Sequence, residues 1–256
     1  MIYYFSGTGN SKFVAETLSN LLSMENHFIP TTSPSHQLHT SENIVFVFPV
    51  YSWGVPPLVI DFINLLPSSL WNSMKVGQYS LSCVMVCGDE VALAPEMFTK
   101  VMKLHDVKVQ SIWSVIMPNN YVLLPGFDVD SKEVEKRKLE ECQGRIIQIA
   151  EGISQNMEVI DVVRGGMAWL KTKCIYPLFK KWGISPKKWK STSACTACGK
   201  CVRICPERNI KIDNGHAVWD TRCCSCLACY HICPYHAVAY GNATKKKGQY
   251  FFPKLY

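Results

Sequence analysis

Cys195-Thr196-Ala197-Cys198-Gly199-Lys200-Cys201-Val202-Arg203-Ile204-Cys205-Pro206 reads C-x2-C-x2-C-x3-C-P. The pattern returns in register at Cys223, Cys226, Cys229, Cys233 and Pro234, each cysteine 28 residues after its counterpart (195 to 223, 205 to 233). Three thiolates at this spacing form a compact cup for three irons of a cubane, while the fourth, just before a proline, points away to another cluster. The ligand sets therefore cross. Cys195, Cys198, Cys201 and Cys233 are expected to hold one [4Fe–4S] cluster, and Cys223, Cys226, Cys229 and Cys205 the other. Crossing obliges the two motifs to fold as one unit. Structural zinc takes separated C-x2-C knuckles that give two ligands each, a geometry that a triple run with a trailing Cys-Pro does not suit.

Secreted disulfides are not expected either, because Met1 leads straight into an apolar strand with no charged, apolar and cleavage regions ahead of it. Cluster thiolates and free thiols point to a reducing compartment, so a cytoplasmic location is expected. The remaining cysteines (Cys83, Cys87, Cys142, Cys174, Cys224) show no ligand spacing and read as small buried hydrophobes. The 256 residues, 48% of them hydrophobic, allow a second domain upstream of the cysteine module. The longest uncharged stretches, Asn43–Ile60 and Val109–Phe127, are broken by prolines and glycines, so no membrane-spanning helix is expected.

At the other end, Met1–Phe5 is a short apolar strand running into Ser6-Gly7-Thr8-Gly9-Asn10-Ser11. An apolar-periodic helix follows (Phe13, Val14, Leu18, Leu21, Leu22). A strand, a turn rich in glycine and hydroxyl groups, and a helix start together make an anion site of backbone N–H groups and helix dipole. The dinucleotide fingerprint would need a glycine where Lys12 stands, and the Walker loop a Gly-Lys-Ser/Thr ending that is absent. The arrangement S/T-x-T-G-x-S/T after the first strand is similar to the loop that holds the FMN phosphate in flavodoxins. Ile44–Phe48, Tyr79–Val86 and Val109–Ile116 read as buried parallel strands. Helices are predicted to begin near Pro56, Pro95 and Lys132, the last spanning Lys132–Gly152. Alternating β and α units give a doubly wound open parallel sheet that binds ligands at the carboxyl ends of its strands. Two loops leave that edge: Pro49-Val50-Tyr51-Ser52-Trp53-Gly54, with flat aromatic faces for an isoalloxazine ring, and Cys87-Gly88-Asp89, with a glycine for close backbone approach. Ordinary packing of Tyr51 and Trp53 onto the sheet is the alternative. Met117-Pro118-Asn119-Asn120-Tyr121 either covers the cofactor or simply turns the chain.

With both ends read, the chain resembles the ferrodoxin family of fused flavodoxin-like and ferredoxin-like proteins. The resemblance rests on Tyr4–Ser11, Phe48–Pro56, Met117–Tyr121 and the two cysteine motifs. The cysteine module, with its Asn214-Gly215 hairpin turn between Ile210–Ile212 and Ala217–Trp219, also resembles the bacterial two-cluster ferredoxins. The resemblance implies a flavodoxin-like FMN-binding domain at 1–157, a basic aromatic connector at 158–190 and a small α+β two-cluster domain at 191–256. Electrons would pass between FMN and the two [4Fe–4S] clusters. Cys87-Gly88-Asp89 departs from the family pattern, where a second glycine or an aromatic is expected over the ring.

Charge is unevenly spread. Residues 1–157 carry 10 Lys/Arg against 15 Asp/Glu, whereas 164–190 hold Arg164, Lys171, Lys173, Lys180, Lys181, Lys187, Lys188 and Lys190 with no acid. In the connector Met167, Leu170, Cys174, Leu178 and Trp182 recur at helical spacing, and Pro177 is expected to end or kink that helix near Tyr176. Three readings stand: a clamp across both domains, a docking face for an acidic redox protein, or a peripheral contact with anionic lipid. No base-reading motif is present, so nucleic acid is not an expected partner. With no dinucleotide domain, a protein partner is expected rather than NAD(P)H. Two other functions compete: an FMN-dependent reductase of a small acceptor such as a quinone, and a ferredoxin module joined to a flavin-free fold. His27, His36, His39 and His105 form no constellation with a nucleophile or carboxylate.

Overall fold

Asn43–Pro49 (β3) and Ser80–Cys87 (β4) are largely apolar runs too short for a buried helix, and both become central strands. A computed structural model describes residues 1–33, 43–75 and 79–252; His36 and His39 lie outside them. β3 pairs in parallel with β1 (Ile2–Tyr4) on one side and β4 on the other, and β4 pairs with β5 (Ser111–Ile116). Two three-residue strands complete the edges, β2 (Asn26–Phe28) beside β1 and β6 (Val159–Asp161) beside β5. The order is β2-β1-β3-β4-β5-β6, all parallel. Neither edge strand is anticipated by the sequence reading.

The period-two alternation of the strands divides the apolar side chains between two cores. Tyr3, Phe46, Phe48, Cys83, Met85 and Ile112 face α2 (Pro57–Leu65), α3 (Ser68–Lys75) and α4 (Ala94–Leu104). Tyr4, Val45, Val47, Val84, Trp113 and Val115 face α1 (Asn10–Leu22) and α5 (Lys132–Ser154). With helices on both faces, this is a doubly wound α/β sheet.

The connector is one helical run, 168–183, made of Ala168–Leu170, Lys171–Ile175, Tyr176–Leu178 and Phe179–Gly183, the second and fourth wound as π-helix. Pro177 therefore does not end it near Tyr176, one of the two expected outcomes. The wider π turns absorb the missing N–H and the ring's clash with the preceding turn. The helix is fastened by Thr172, whose Oγ1 donates to Trp53 O (2.8 Å) and accepts from Leu93 N (3.0 Å), and by Tyr176, whose Oη donates to Val55 O (2.5 Å). Lys171 pairs with Glu90. The expected apolar stripe is not the packing face: Leu178 is 50% exposed, Trp182 62% and Met167 72%. Cys174 is likewise exposed rather than buried.

In the cysteine module, Trp189–Ser191 (β7) pairs antiparallel with Val238–Tyr240 (β10), and Ile210–Asp213 (β8) with His216–Trp219 (β9). The β8–β9 turn places Asn214 and Gly215 at φ 46° and 77°, the left-handed values of a two-residue hairpin turn. Val122 and Leu123, from the loop after β5, enter the module's core beside Tyr230 and Ala237. Among the described residues no helix is long and apolar enough to cross a membrane.

Candidate functional site

A cavity of about 470 Å³, within the range of cofactor sites, opens at the carboxyl ends of β1, β3 and β4. Ser6, Gly7, Thr8, Asn10 and Ser11 border it from the first turn, Tyr51 and Trp53 from the loop after β3, and Cys87, Gly88 and Asp89 from the end of β4. Of the expected residues, Gly9 and Gly54 do not border it. Gly9 sits at φ 102° as the N-cap of α1, and Gly54 lies against the Tyr176 ring, 2.4 Å from where a β-carbon would stand. Other parts of the chain border it too, among them the Pro118–Tyr121 stretch that the sequence offered as a cover or a turn. Pro118, Asn119, Asn120 and Tyr121 form one wall, Ile175 and Phe179 of the connector another, and Ser225, Cys226 and Leu227 a third.

The turn is held open by its own hydrogen bonds. Ser6 Oγ accepts from Gly9 N (3.2 Å), and Thr8 Oγ1 accepts from Asn120 Nδ2 (2.6 Å), leaving the threonine proton free. α1 has no acid in its first turn, so its N-terminal dipole is uncompensated. Two buried hydroxyls on the cavity border, Ser11 Oγ and Tyr51 Oη, have no partner in the protein. Buried hydroxyls are seldom left so, and these fit a ligand with oxygen or nitrogen acceptors. An FMN phosphate at the turn and a ring near Tyr51 would satisfy both.

The aromatic loop is strained. Ser52 and Trp53 lie at φ 45° and 62°, held by the reciprocal Tyr51–Gly54 backbone bonds at 2.9 Å. Trp53 Nε1 donates to Glu90 Oε1 (2.9 Å), and the Lys171 ammonium lies 5.4 Å from its ring centroid. Tyr51 meets Phe179 edge-on at 6.3 Å. Burial pushes the Tyr51 phenol well up, helped by the nearby sulfurs of Cys226, Cys224 and Cys223. Burial likewise raises the Cys87 thiol to about 12, so it stays protonated. Asp89 reaches Lys138 (3.3 Å), which also pairs with Asp130 (2.8 Å), and Asn119 bonds both carboxylates.

The eight motif cysteines gather around two hollows. Cys195, Cys198, Cys201 and Cys233 border one, and Cys205, Cys223, Cys226 and Cys229 the other. The backbone repeats with the motif. Ala197, Gly199 and Arg208 take φ 54°, 74° and 49°, and Ser225, Leu227 and His236, each 28 residues on, take 53°, 62° and 50°. Such left-handed steps turn successive N–H groups into a concavity suited to anionic groups. Accordingly Asn209 N donates to Cys205 Sγ and Ala237 N to Cys233 Sγ, both at 3.3 Å. Burial raises the Cys201 thiol first and its companions Cys233, Cys195 and Cys198 add to it; Cys223, at about 11, is raised by burial and by Cys226 and Cys205. Four thiolates so placed would repel one another, which suits a cationic core of irons. Indole N–H groups of Trp189 and Trp219 lean toward the Cys223 and Cys229 sulfurs and oppose the rise in those thiols, although neither reaches full hydrogen-bond geometry.

Residues 189–211 match the family model of the 4Fe-4S binding domain. The match supports a ferredoxin-type iron–sulfur domain here, and with it iron–sulfur electron transfer. No curated protein matches the chain. Among solved structures, one described as "The Structure of Trp Repressor Binding Protein from Bacillus subtilis" is similar at 13% identity and a TM-score of 0.39. The match covers 58% of this chain and 96% of that one.

Proposed function

We propose that the chain passes electrons between two [4Fe–4S] clusters and a bound FMN. In this reading Cys195, Cys198, Cys201 and Cys233 hold one cluster and Cys205, Cys223, Cys226 and Cys229 the other. Ser6–Ser11 cradle the flavin phosphate, and Tyr51, Trp53 and Gly88 border the ring. The parts are a flavodoxin-like domain (1–157), the connector (158–190) and the two-cluster module (191–256). The observation that carries the reading is one shared wall: the cavity bordered by Ser6, Gly7, Thr8, Asn10 and Ser11 is also bordered by Cys226, and Gly7 packs so close that a β-carbon there would stand 2.3 Å from Cys226 O. A cluster on Cys226 and a flavin in the cavity would be neighbours. The 2-1-3-4-5 strand order, with its switch point between β1 and β3, is that of flavodoxin-like folds, whose FMN-binding members hold FMN at that point. The 28-residue backbone repeat supports two cups rather than one.

FMN exchanges one or two electrons and each cubane one, so together they convert between the two kinds of chemistry. The chain's residues orient and insulate. Thr8 and the α1 N-terminus bind the phosphate, Phe179 and Ile175 exclude water, and the Glu90–Trp53–Lys171 contacts fix the aromatic loop. An acidic redox protein is the proposed partner, in the cytoplasm, with peripheral lipid contact as a further use of the connector's basic residues. The test is an anaerobic absorbance spectrum with iron, sulfide and flavin quantified on one sample. About eight irons and eight sulfides are expected per chain, with flavin bound as FMN. Zinc in place of iron would sink the cluster reading, and flavin-free protein that binds no added FMN would leave a ferredoxin module on an empty fold. A second reading, a reductase of a small acceptor such as a quinone, is favoured by the apolar wall of Leu124, Phe127, Ile175 and Phe179; saturable reoxidation by that acceptor alone would select it.

A further inference from the structure

The two hollows differ in a way their sequence repeat does not foretell. Three buried N–H donors without a partner in the protein border the hollow of Cys205, Cys223, Cys226 and Cys229: Trp189 Nε1, Trp219 Nε1 and Asn209 Nδ2. None of the partnerless buried groups among the described residues borders the hollow of Cys195, Cys198, Cys201 and Cys233. Asn209 is oriented, because its Oδ1 accepts from Arg222 N (2.8 Å), which leaves the amide nitrogen as the free donor. The indoles are oriented too. Trp189 stacks on Trp219 at 6.1 Å and 21° and meets Tyr240 edge-on at 4.9 Å. An indole N–H can only donate, and a buried one without an acceptor carries a desolvation penalty. The sulfurs of a cluster in that hollow are the acceptors within reach.

We infer that Trp189, Trp219 and Asn209 donate hydrogen bonds to the sulfurs of the cluster beside the cavity, and so raise the reduction potential of that cluster alone. The inference rests on the two-cluster reading above. Reduction adds one electron, and hence one negative charge, to the iron–sulfur–thiolate cage. Fixed N–H dipoles stabilise the more negative form and shift the equilibrium toward it. Burial of the same cluster works the other way, since a buried cage resists added charge. The donors offset that resistance where it matters for transfer, at Cys226, which borders both the hollow and the cavity. The other hollow has Cys198 at the surface, where solvent is free to donate.

The test is an anaerobic redox titration of the full chain followed by electron paramagnetic resonance, with iron and sulfide counted on every sample. Trp189→Phe and Trp219→Phe keep an aromatic ring and remove the N–H. Replacing either residue by 3-benzothienylalanine removes the N–H while preserving the shape, which guards against a packing artefact. Two reduction steps are expected. In each variant the same single step should move to lower potential, by about tenfold in its equilibrium constant, or roughly 59 mV for one electron. The double variant should move it further, and Tyr235→Phe beside the other hollow should move neither. With all irons retained, unmoved steps, or both steps moving together, would overturn the inference. Failure of the two-cluster reading looks different: unmodified protein with half the expected iron, or a single step, brings down both before any tryptophan is changed.

Discussion

Thr8 shares one hydroxyl between the protein and the cavity. Its oxygen accepts from Asn120 Nδ2 at 2.6 Å and its proton is left to donate, while its backbone oxygen accepts from Phe252 N at 2.8 Å. Thr8→Val keeps the shape and removes the donor, so FMN should bind about 1.5–3 kcal/mol more weakly, roughly ten- to a hundredfold. Thr8→Ser keeps the donor and should bind nearly as the parent does. Flavin fluorescence titration reads both, and equal loss in the two variants would assign the effect to packing rather than to the hydroxyl. The turn was legible because strand, glycine, hydroxyls and helix start lie within one short stretch, whose chemistry is local. Gly7 was legible only as a turn residue. Its closeness to Cys226 O joins opposite ends of the chain, and no local pattern encodes such a meeting. The partnerless Ser11 and Tyr51 hydroxyls are likewise visible only once the packing around them is known.

Helical spacing in the connector showed which residues share a face but not which face would pack. Met167, Leu170, Leu178 and Trp182 are at least partly exposed, and the buried contacts belong to Thr172 and Tyr176. The reason is geometric. The helix docks where Gly54 leaves room for the Tyr176 ring and where the carbonyls of Trp53 and Val55 need donors, so hydrogen bonds and a small residue choose the face. Tyr176→Ala should cost about 3–5 kcal/mol, as for other large aromatic truncations in packed sites, lowering the thermal midpoint. Leu178→Ala and Trp182→Ala should stay within about 0.5 kcal/mol. The reverse ranking in differential scanning fluorimetry would return the clamp to the stripe. Elsewhere, β1, β3, β4 and β5 were legible as largely apolar runs. β2 and β6 were not, because three-residue edge strands bury too little to carry a pattern. β7 was hidden for another reason: it gains strand form only by pairing with β10, a distant segment.

Across the whole molecule, the end of the described chain returns to its beginning. Tyr250 Oη donates to Asn10 Oδ1 (2.7 Å), Phe252 stacks on Phe13 at 4.6 Å, and Asn10 Nδ2 donates to Pro118 O (2.9 Å). His231 bridges the same region. Its Nδ1 accepts from Tyr250 N (3.1 Å), so its Nε2 carries the proton and donates to Asn120 O (2.7 Å). His231 lies between Cys229 and Cys233, one from each ligand set, and Asn120 bonds Thr8. Cluster occupancy and the phosphate turn are therefore linked through packed, hydrogen-bonded side chains. If the ligand sets cross as proposed, Cys201→Ala should lose all the iron rather than half, and the module should unfold with it. The ties to Asn10, Thr8 and Asn120 would then loosen. FMN should bind the iron-free protein more weakly, by a coupling of about 1–3 kcal/mol, or roughly 5–150-fold. Linkage is reciprocal, so saturating FMN should slow iron loss to a chelator in the parent protein. Titrating FMN before and after iron removal measures one arm, and iron release with and without FMN the other. Equal FMN affinity in both states would mean that the turn is organised by the α/β sheet alone, with the returning segment a passive cover.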